Sequence, residues 1–262
     1  MTVSSADESA SAEIEPPLQM GGLSRVEWAL EGVRQAVKGP AWIVAVALTG
    51  VGGLAREAGF PFGAAVASTL LIWAGPAQVL FFGAVAQHVA PAAIAFSICV
   101  SSMRLLPMCL SLLPLLRGRR TSLLTQVVAS HFVAVTVWTE SMRRIHDVPR
   151  DARMAFYFGF AHACILATAA FTGLGYWLMG DLPTPLGAGL LFLSPIYFIT
   201  ALARNAREAM DWLAIGFGLV LAPVTSALAP RGFDLLFLGL VGGTAAWAIG
   251  RKLRARRGEA AA

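Results

Sequence analysis

Apolar residues fill this chain in long blocks that polar residues interrupt only briefly. Eight blocks stand out: Ala41–Ala55, Phe60–Val89, Pro91–Leu116, Thr121–Met142, Met154–Met179, Leu182–Ala203, Met210–Leu228 and Phe233–Ile249. Several approach or exceed the roughly 18–20 residues that cross a bilayer core. Lipid offers backbone groups no partner, so helices are predicted for all of them. No period-two alternation points to a barrel. The chain reads as an all-α polytopic membrane protein with about seven transmembrane helices, some broken by Pro and Gly. Ahead of the blocks, residues 1–22 read as a disordered polar tail. Residues 23–38 place Val26, Leu30, Val33 and Val37 among charges at helical spacing, as in an amphipathic helix on the membrane surface or on the protein's own loops. Residues 39–250 form a single transmembrane domain, and 251–262 a basic tail.

Charge then orients the blocks. Of the 20 Lys and Arg, 14 fall in four clusters: Arg117, Arg119 and Arg120; Arg143, Arg144, Arg150 and Arg153; Arg204 and Arg207; and Arg251, Lys252, Arg254, Arg256 and Arg257. They lie between or after apolar blocks, the pattern of cytoplasmic loops, so the net positive charge is not a nucleic-acid footprint. Two apolar blocks separate each of the last three clusters from the next. Only Thr121–Met142 separates the first from the second. If that block crosses, the first cluster faces outside. If it enters and returns, all four face the cytoplasm, the C-terminus with them, seven spans remain and the N-terminus lies outside. The polar residues Gln126, Ser130, His131, Thr136, Thr139 and Glu140 favour the second model. Non-helical backbone at membrane depth is tolerated where it lines a cavity or is buried in protein.

A faint internal repeat links Pro61-Phe62-Gly63-Ala64 to Pro185-Leu186-Gly187-Ala188, each followed by a later proline, at Gly75-Pro76 and Ser194-Pro195. Paired, Gly/Pro-interrupted segments mark the binding region in transporters built from inverted repeats. Ser194 and Pro195 are therefore expected to form a second broken helix.

Three polar stretches carry candidate chemistry. Pro76 lacks an amide hydrogen and strains the preceding turn, so the helix around Gly75-Pro76 is expected to kink or break. A half-helix start there would suit a carboxylate, with Gln78 close by; the alternative is a simple kink with Gln78 bonded between helices. Ser101-Ser102-Met103-Arg104 sits at the centre of its block. An Arg at that depth costs about 2.5–3.5 kcal/mol, so Arg104 is expected to face inward onto Glu140, backbone carbonyls or a substrate carboxylate. Ser130-His131 offers a proton relay, with Glu140 nearby, or a neutral interhelical hydrogen bond. Cys99, Cys109 and Cys164 lie in apolar blocks without metal-ligand spacing. No metal or other cofactor is expected, and no GxxxxGK[ST] is present to bind ATP. An intramembrane serine hydrolase would need Ser130 or Ser194 paired with His131 or His162. A non-transporting scaffold would use the polar residues as helix glue.

The stretch resembles the AzlC family, also called the BrnF or LIV-E type, of branched-chain amino acid exporters. Ser68, Trp73, Ala74, Gly75 and Gln78 match its S…(F/W)AGxxQ motif. Ser102-Met103-Arg104, followed by Pro107-Met108, matches its N-x-R motif with Ser in place of Asn. An acidic Asp-Glu pair frequent in the family is replaced near Ser130-His131. The resemblance implies a permease, not an enzyme, that exports leucine, isoleucine, valine or analogues such as azaleucine. It also implies residence in the bacterial inner membrane and a small partner subunit of the AzlD or BrnE type with about four spans. Substrate binding would then fall to Ser68, Gly75, Pro76, Gln78, Ser101, Ser102 and Arg104, and coupling to Ser130, His131 and Glu140.

Overall fold

The computed structural model describes residues 23–118, 121–206, 208–229 and 233–256, which hold helices and no strand. The polar tail 1–22, Arg119, Arg120, Arg207 and the tail beyond Arg256 lie outside the described residues. In order the helices are α1 (Arg25–Val37), α2 (Pro40–Ala47), α3 (Thr49–Glu57), α4 (Phe62–Ile72), α5 (Gly75–Ala86), α6 (Pro91–Ser102), α7 (Leu105–Leu116), α8 (Leu123–His131), α9 (Val135–Arg144), α10 (Arg153–Asp181), α11 (Thr184–Asn205), α12 (Ala209–Leu228) and α13 (Asp234–Arg256). By length and composition α10, α11 and α12 can each cross a membrane, and two bent pairs bring the number to five.

The bent pairs are α1 with α2–α3, turned by 54°, and α6 with α7, turned by 50°. Local sequence accounts for both. A capping box starts α1: the Ser24 amide donates to Glu27 Oε2 (2.6 Å) and the Glu27 amide to Ser24 Oγ (3.3 Å). Pro40 then ends it, because proline cannot extend a helix but fits at the first position of the next. Residues 23–38, expected on the membrane surface or on the protein's own loops, thus bury Trp28, Gly32 and Ala36 against α10. They approach closely enough that a methyl group on Gly32 would overlap the backbone of Phe156. One on Gly52, further along, would overlap that of Thr172. Small residues at such crossings let helix backbones touch. Gly32 meets Phe156 and Arg56 bonds Tyr176, so α1–α3 and α10 run in the same direction.

Two apolar blocks do not cross. The Phe60 ring, ahead of α4, lies 5.4 and 5.2 Å from the rings of Phe81 and Phe82 in α5. The stretch 60–86 is therefore a hairpin whose arms, of 11 and 12 residues, reach about half a bilayer core each. The second hairpin is α8–α9. Gly118, at its entry, lies beside Asp151, and Arg144, at its exit, donates to Gln35 (2.9 Å). Arg153 donates to Leu115 O (3.1 Å) and Val148 O (3.0 Å), which gathers residues 115–118 and 144–153 at one basic end of the molecule. Thr121–Met142 thus enters and returns, as the spacing of the basic clusters favours.

A bent span followed by a re-entrant hairpin, α1–α5, is repeated in opposite orientation as α6–α9. An inverted relation is present, but between these two units and not between the segments opening at Pro61 and Pro185. The α10 helix backs both hairpins: Tyr176 donates its hydroxyl to Phe60 O (2.8 Å) and Tyr157 to Ala129 O (2.9 Å). Its own Tyr157 and Phe160 share one core with Phe82, Leu112 and Leu116, all among the largest buried side chains. In contrast α12 buries no residue, as suits an apolar helix facing lipid.

Candidate functional site

The two hairpin tips meet at the middle of α10. On one side Trp73 ends α4 in the left-handed conformation (φ 41°, ψ 36°), and Pro76 sits in the first turn of α5. On the other, Phe132 to Ala134 separate α8 from α9. A helix that stops leaves its last carbonyls without donors, and here each hairpin supplies the other's. Trp73 Nε1 donates to Phe132 O (3.2 Å), and His131 Nε2 bonds Leu70 O (2.9 Å). A carbonyl only accepts, so His131 Nε2 is the donor in this bond. Phe132 in turn packs on the His162 ring, with centroids 4.5 Å apart. Trp73 is a bulky residue in a conformation that costs about 1–3 kcal/mol; its burial and its indole hydrogen bond hold it there.

Beside the tip of the first hairpin lies a buried polar chain. Gln78 Nε2 donates to Ser68 Oγ (3.1 Å) and Thr69 Oγ1 (3.0 Å). Thr69 Oγ1 is 2.9 Å from Thr172 Oγ1 of α10. Thr172 donates to Thr168 O (3.0 Å), and Ser68 to Ala65 O (2.7 Å). Among the described residues, Gln78 Oε1 is buried with no partner. A methyl group on Gly75 would overlap Phe198 of α11 and Leu48, so both side chains close over the break.

The structure therefore brings together Ser68, Gly75, Pro76 and Gln78 at one tip and joins them through Trp73 to Ser130-His131 at the other. Ser101 and Ser102 end α6, half-buried. Arg104 caps α7 at the bend and departs from expectation: it is exposed and, among the described residues, makes no hydrogen bond or ion pair. Its expected partner Glu140 is held elsewhere, by Arg143 (2.9 Å) and Arg144 (3.2 Å) one turn along its own helix. Ser194 and Pro195 form no second break. The α11 helix runs unbroken through Pro195, with Ser194 donating to Ala47 O (2.8 Å) where α2 gives way to α3. Ser130 and His162 spend their hydrogen bonds on Val127 O and Phe158 O, so no Ser–His pair exists among the described residues.

Reading the sequence missed Trp73 as a latch, and Thr69, Thr168 and Thr172 as extensions of the Gln78 chain. The spacing of Thr168 and Thr172 within α10 was the available signal, since it sets two hydroxyls on one helix face. At the basic end a cavity of about 780 Å³ opens between α7 and α8, lined by Cys109, Leu113, Arg117, Gln126, Arg150 and Asp151.

No curated protein and no solved structure matches this chain. A family model described as AzlC protein matches residues 40–182, which reach from α2 to the end of α10 and contain both hairpins. With more than half of its length matched, the chain belongs to the AzlC family, and it is a polytopic membrane protein with a role in transport.

Proposed function

We propose that the protein exports branched-chain amino acids, or close analogues such as azaleucine or methionine, across a bacterial inner membrane. It does so on an ion gradient and together with a small four-span membrane subunit of the AzlD or BrnE type. One observation carries this reading: two re-entrant hairpins enter from opposite ends and close on each other at mid-depth through their tips. A solute passing between the ends meets this contact, and broken helices at mid-membrane are where transporters hold their substrates. The positive-inside tendency supports a cytoplasmic basic end. The C-terminus and α1 would lie on that side, and the cavity lined by Arg117 and Arg150 would be the entrance.

In this mechanism the carboxylate is held at the start of α5, where unpaired amides and the helix dipole favour an anion. Gln78, Ser68, Ser101 and Ser102 supply polar contacts, and the guanidinium of Arg104, without a partner among the described residues, supplies a cation on the path. Phe198 and Leu48, which cover Gly75, receive the branched side chain. His131 and Ser130, with Glu140 nearer the basic end, relay a proton. The energetics suffice: a tenfold gradient costs about 1.4 kcal/mol, and one charge moved through 100 mV supplies about 2.3 kcal/mol.

The test is efflux. A host lacking branched-chain exporters is loaded with a leucine dipeptide and external leucine is followed. Export that needs both this chain and a four-span partner is expected. Arg104→Gln should abolish it while the protein still inserts; unchanged efflux from that variant removes Arg104 from the path. No export from the pair, with both shown in the membrane, overturns the reading.

A further inference from the structure

Proton accounting in the chain around Gln78 leaves one unfilled position, and it is an acceptor. The Ser68 hydroxyl gives its hydrogen to Ala65 O and the Thr172 hydroxyl gives its own to Thr168 O. The hydrogen between Thr69 and Thr172 must then come from Thr69. Ser68 Oγ and Thr69 Oγ1 are left as acceptors, and the Gln78 amide nitrogen fills both. Rotating the amide by half a turn would set its oxygen against two hydroxyls with no hydrogen to offer. In this orientation Gln78, 1% exposed, leaves Oε1 without a donor among the described residues. A buried acceptor of this kind is completed by a ligand that brings a hydrogen-bond donor.

Gln78 lies one turn into α5 and reaches back across the break toward the last turns of α4. The site therefore has two unlike poles in the first turn of one helix. One is the lone pair of Gln78. The other is the start of α5: Pro76 has no amide hydrogen and the Gln78 amide donates to Ala74 O (3.0 Å), so the amides of Gly75 and Ala77 are the ones left to favour an anion. We propose that Gln78 Oε1 receives the α-ammonium of the transported amino acid while the start of α5 receives its carboxylate, so that Gln78 selects α-amino acids over their 2-oxo counterparts. This rests on the amino acid reading above. Leucine completes both poles. 4-Methyl-2-oxopentanoate brings the same carboxylate and branched chain but no donor, and it opposes its ketone oxygen to the lone pair. Sites built around a hydrogen bond discriminate strongly against a ligand that lacks it.

The experiment measures competition against labelled leucine in membrane vesicles from the source cells overproducing the full chain. In the unaltered protein, unlabelled leucine is expected to compete at least about tenfold better than 4-methyl-2-oxopentanoate. In Gln78→Leu the ratio falls toward one, because leucine weakens while the oxo acid does not. Gln78→Glu keeps a buried acceptor and adds a charge that repels the oxo acid, so its ratio rises above that of the unaltered protein. This variant decides the matter if Gln78→Leu fails to accumulate. An unchanged ratio in either folded variant overturns the proposal and leaves Gln78 Oε1 to an ordered water only. If the unaltered protein takes up no leucine, the transport reading falls and the proposal with it. That outcome is distinct from leucine uptake with an unaltered ratio.

Discussion

The stretches that open at Pro61 and at Pro185 begin alike, Pro-Phe-Gly-Ala and Pro-Leu-Gly-Ala, and each meets a second proline further on. Around Pro76 the chain reverses and leaves by the end it entered. Through Pro195 it continues as one helix of 22 residues. A proline alone removes one amide and bends a helix; it does not turn the chain around. What the first stretch adds is Trp73 in the left-handed region, a conformation that among the described non-glycine residues recurs only at His88. It also has a second segment that accepts and donates at the break, through Phe132 O and His131. Reversal at mid-membrane is thus a property of two hairpins together, because each satisfies backbone groups that the other leaves open.

The strongest challenge to this contrast is an all-or-none topology measurement. Single cysteines placed at Ala58 and Gln87 should react with an impermeant maleimide from the same face of the membrane. Cysteines at Pro183 and Ala206 should react from opposite faces. Labelling of Ala58→Cys and Gln87→Cys from opposite faces would mean that the first stretch crosses after all. A smaller effect is expected from Trp73→Phe, which keeps the ring and removes the indole hydrogen bond. A buried carbonyl left open costs about 1–3 kcal/mol. Transport should fall roughly tenfold, and the melting temperature in detergent should drop by several degrees. The least effect belongs to Pro195→Ala. It restores an amide inside a helix that is already continuous, so stability should change by within about 1 kcal/mol and transport by less than about twofold, measured by the same melt and efflux assays.

The two hairpins were unequally legible in the sequence. The α8–α9 hairpin could be read because Arg117 and Arg143 stand on either side of it, and charge constrains which side each end faces. The α4–α5 hairpin lies in a run from Phe60 to Val89 with no Lys, Arg, Asp or Glu, so no charge betrays the return. Gly75-Pro76 located the break but did not say whether the chain bends or reverses, since that depends on Trp73 and on contacts with Phe132. Similarly, Gly39-Pro40 divides one bent span into a stretch that resembles a surface helix and a short apolar block. Counting α1–α3 as one span, and α4–α5 as none, moves the start of α1 to the basic end, where Arg144 meets Gln35. The depth of Arg104 in its block was legible; the bend beside it, its exposure and its lack of a partner among the described residues were not, because Glu140 is claimed by two nearer arginines.

The crossed hydrogen bonds between the tips also bear on kinetics. Withdrawing either hairpin alone breaks both bonds at once and strands Phe132 O and Leu70 O at a depth where water is scarce. A state with one hairpin displaced and the other unmoved is therefore high in free energy until solute or water fills the vacated positions. Passage should then show a single cooperative barrier, without leak of ions between turnovers, and the empty carrier should reorient more slowly than the loaded one.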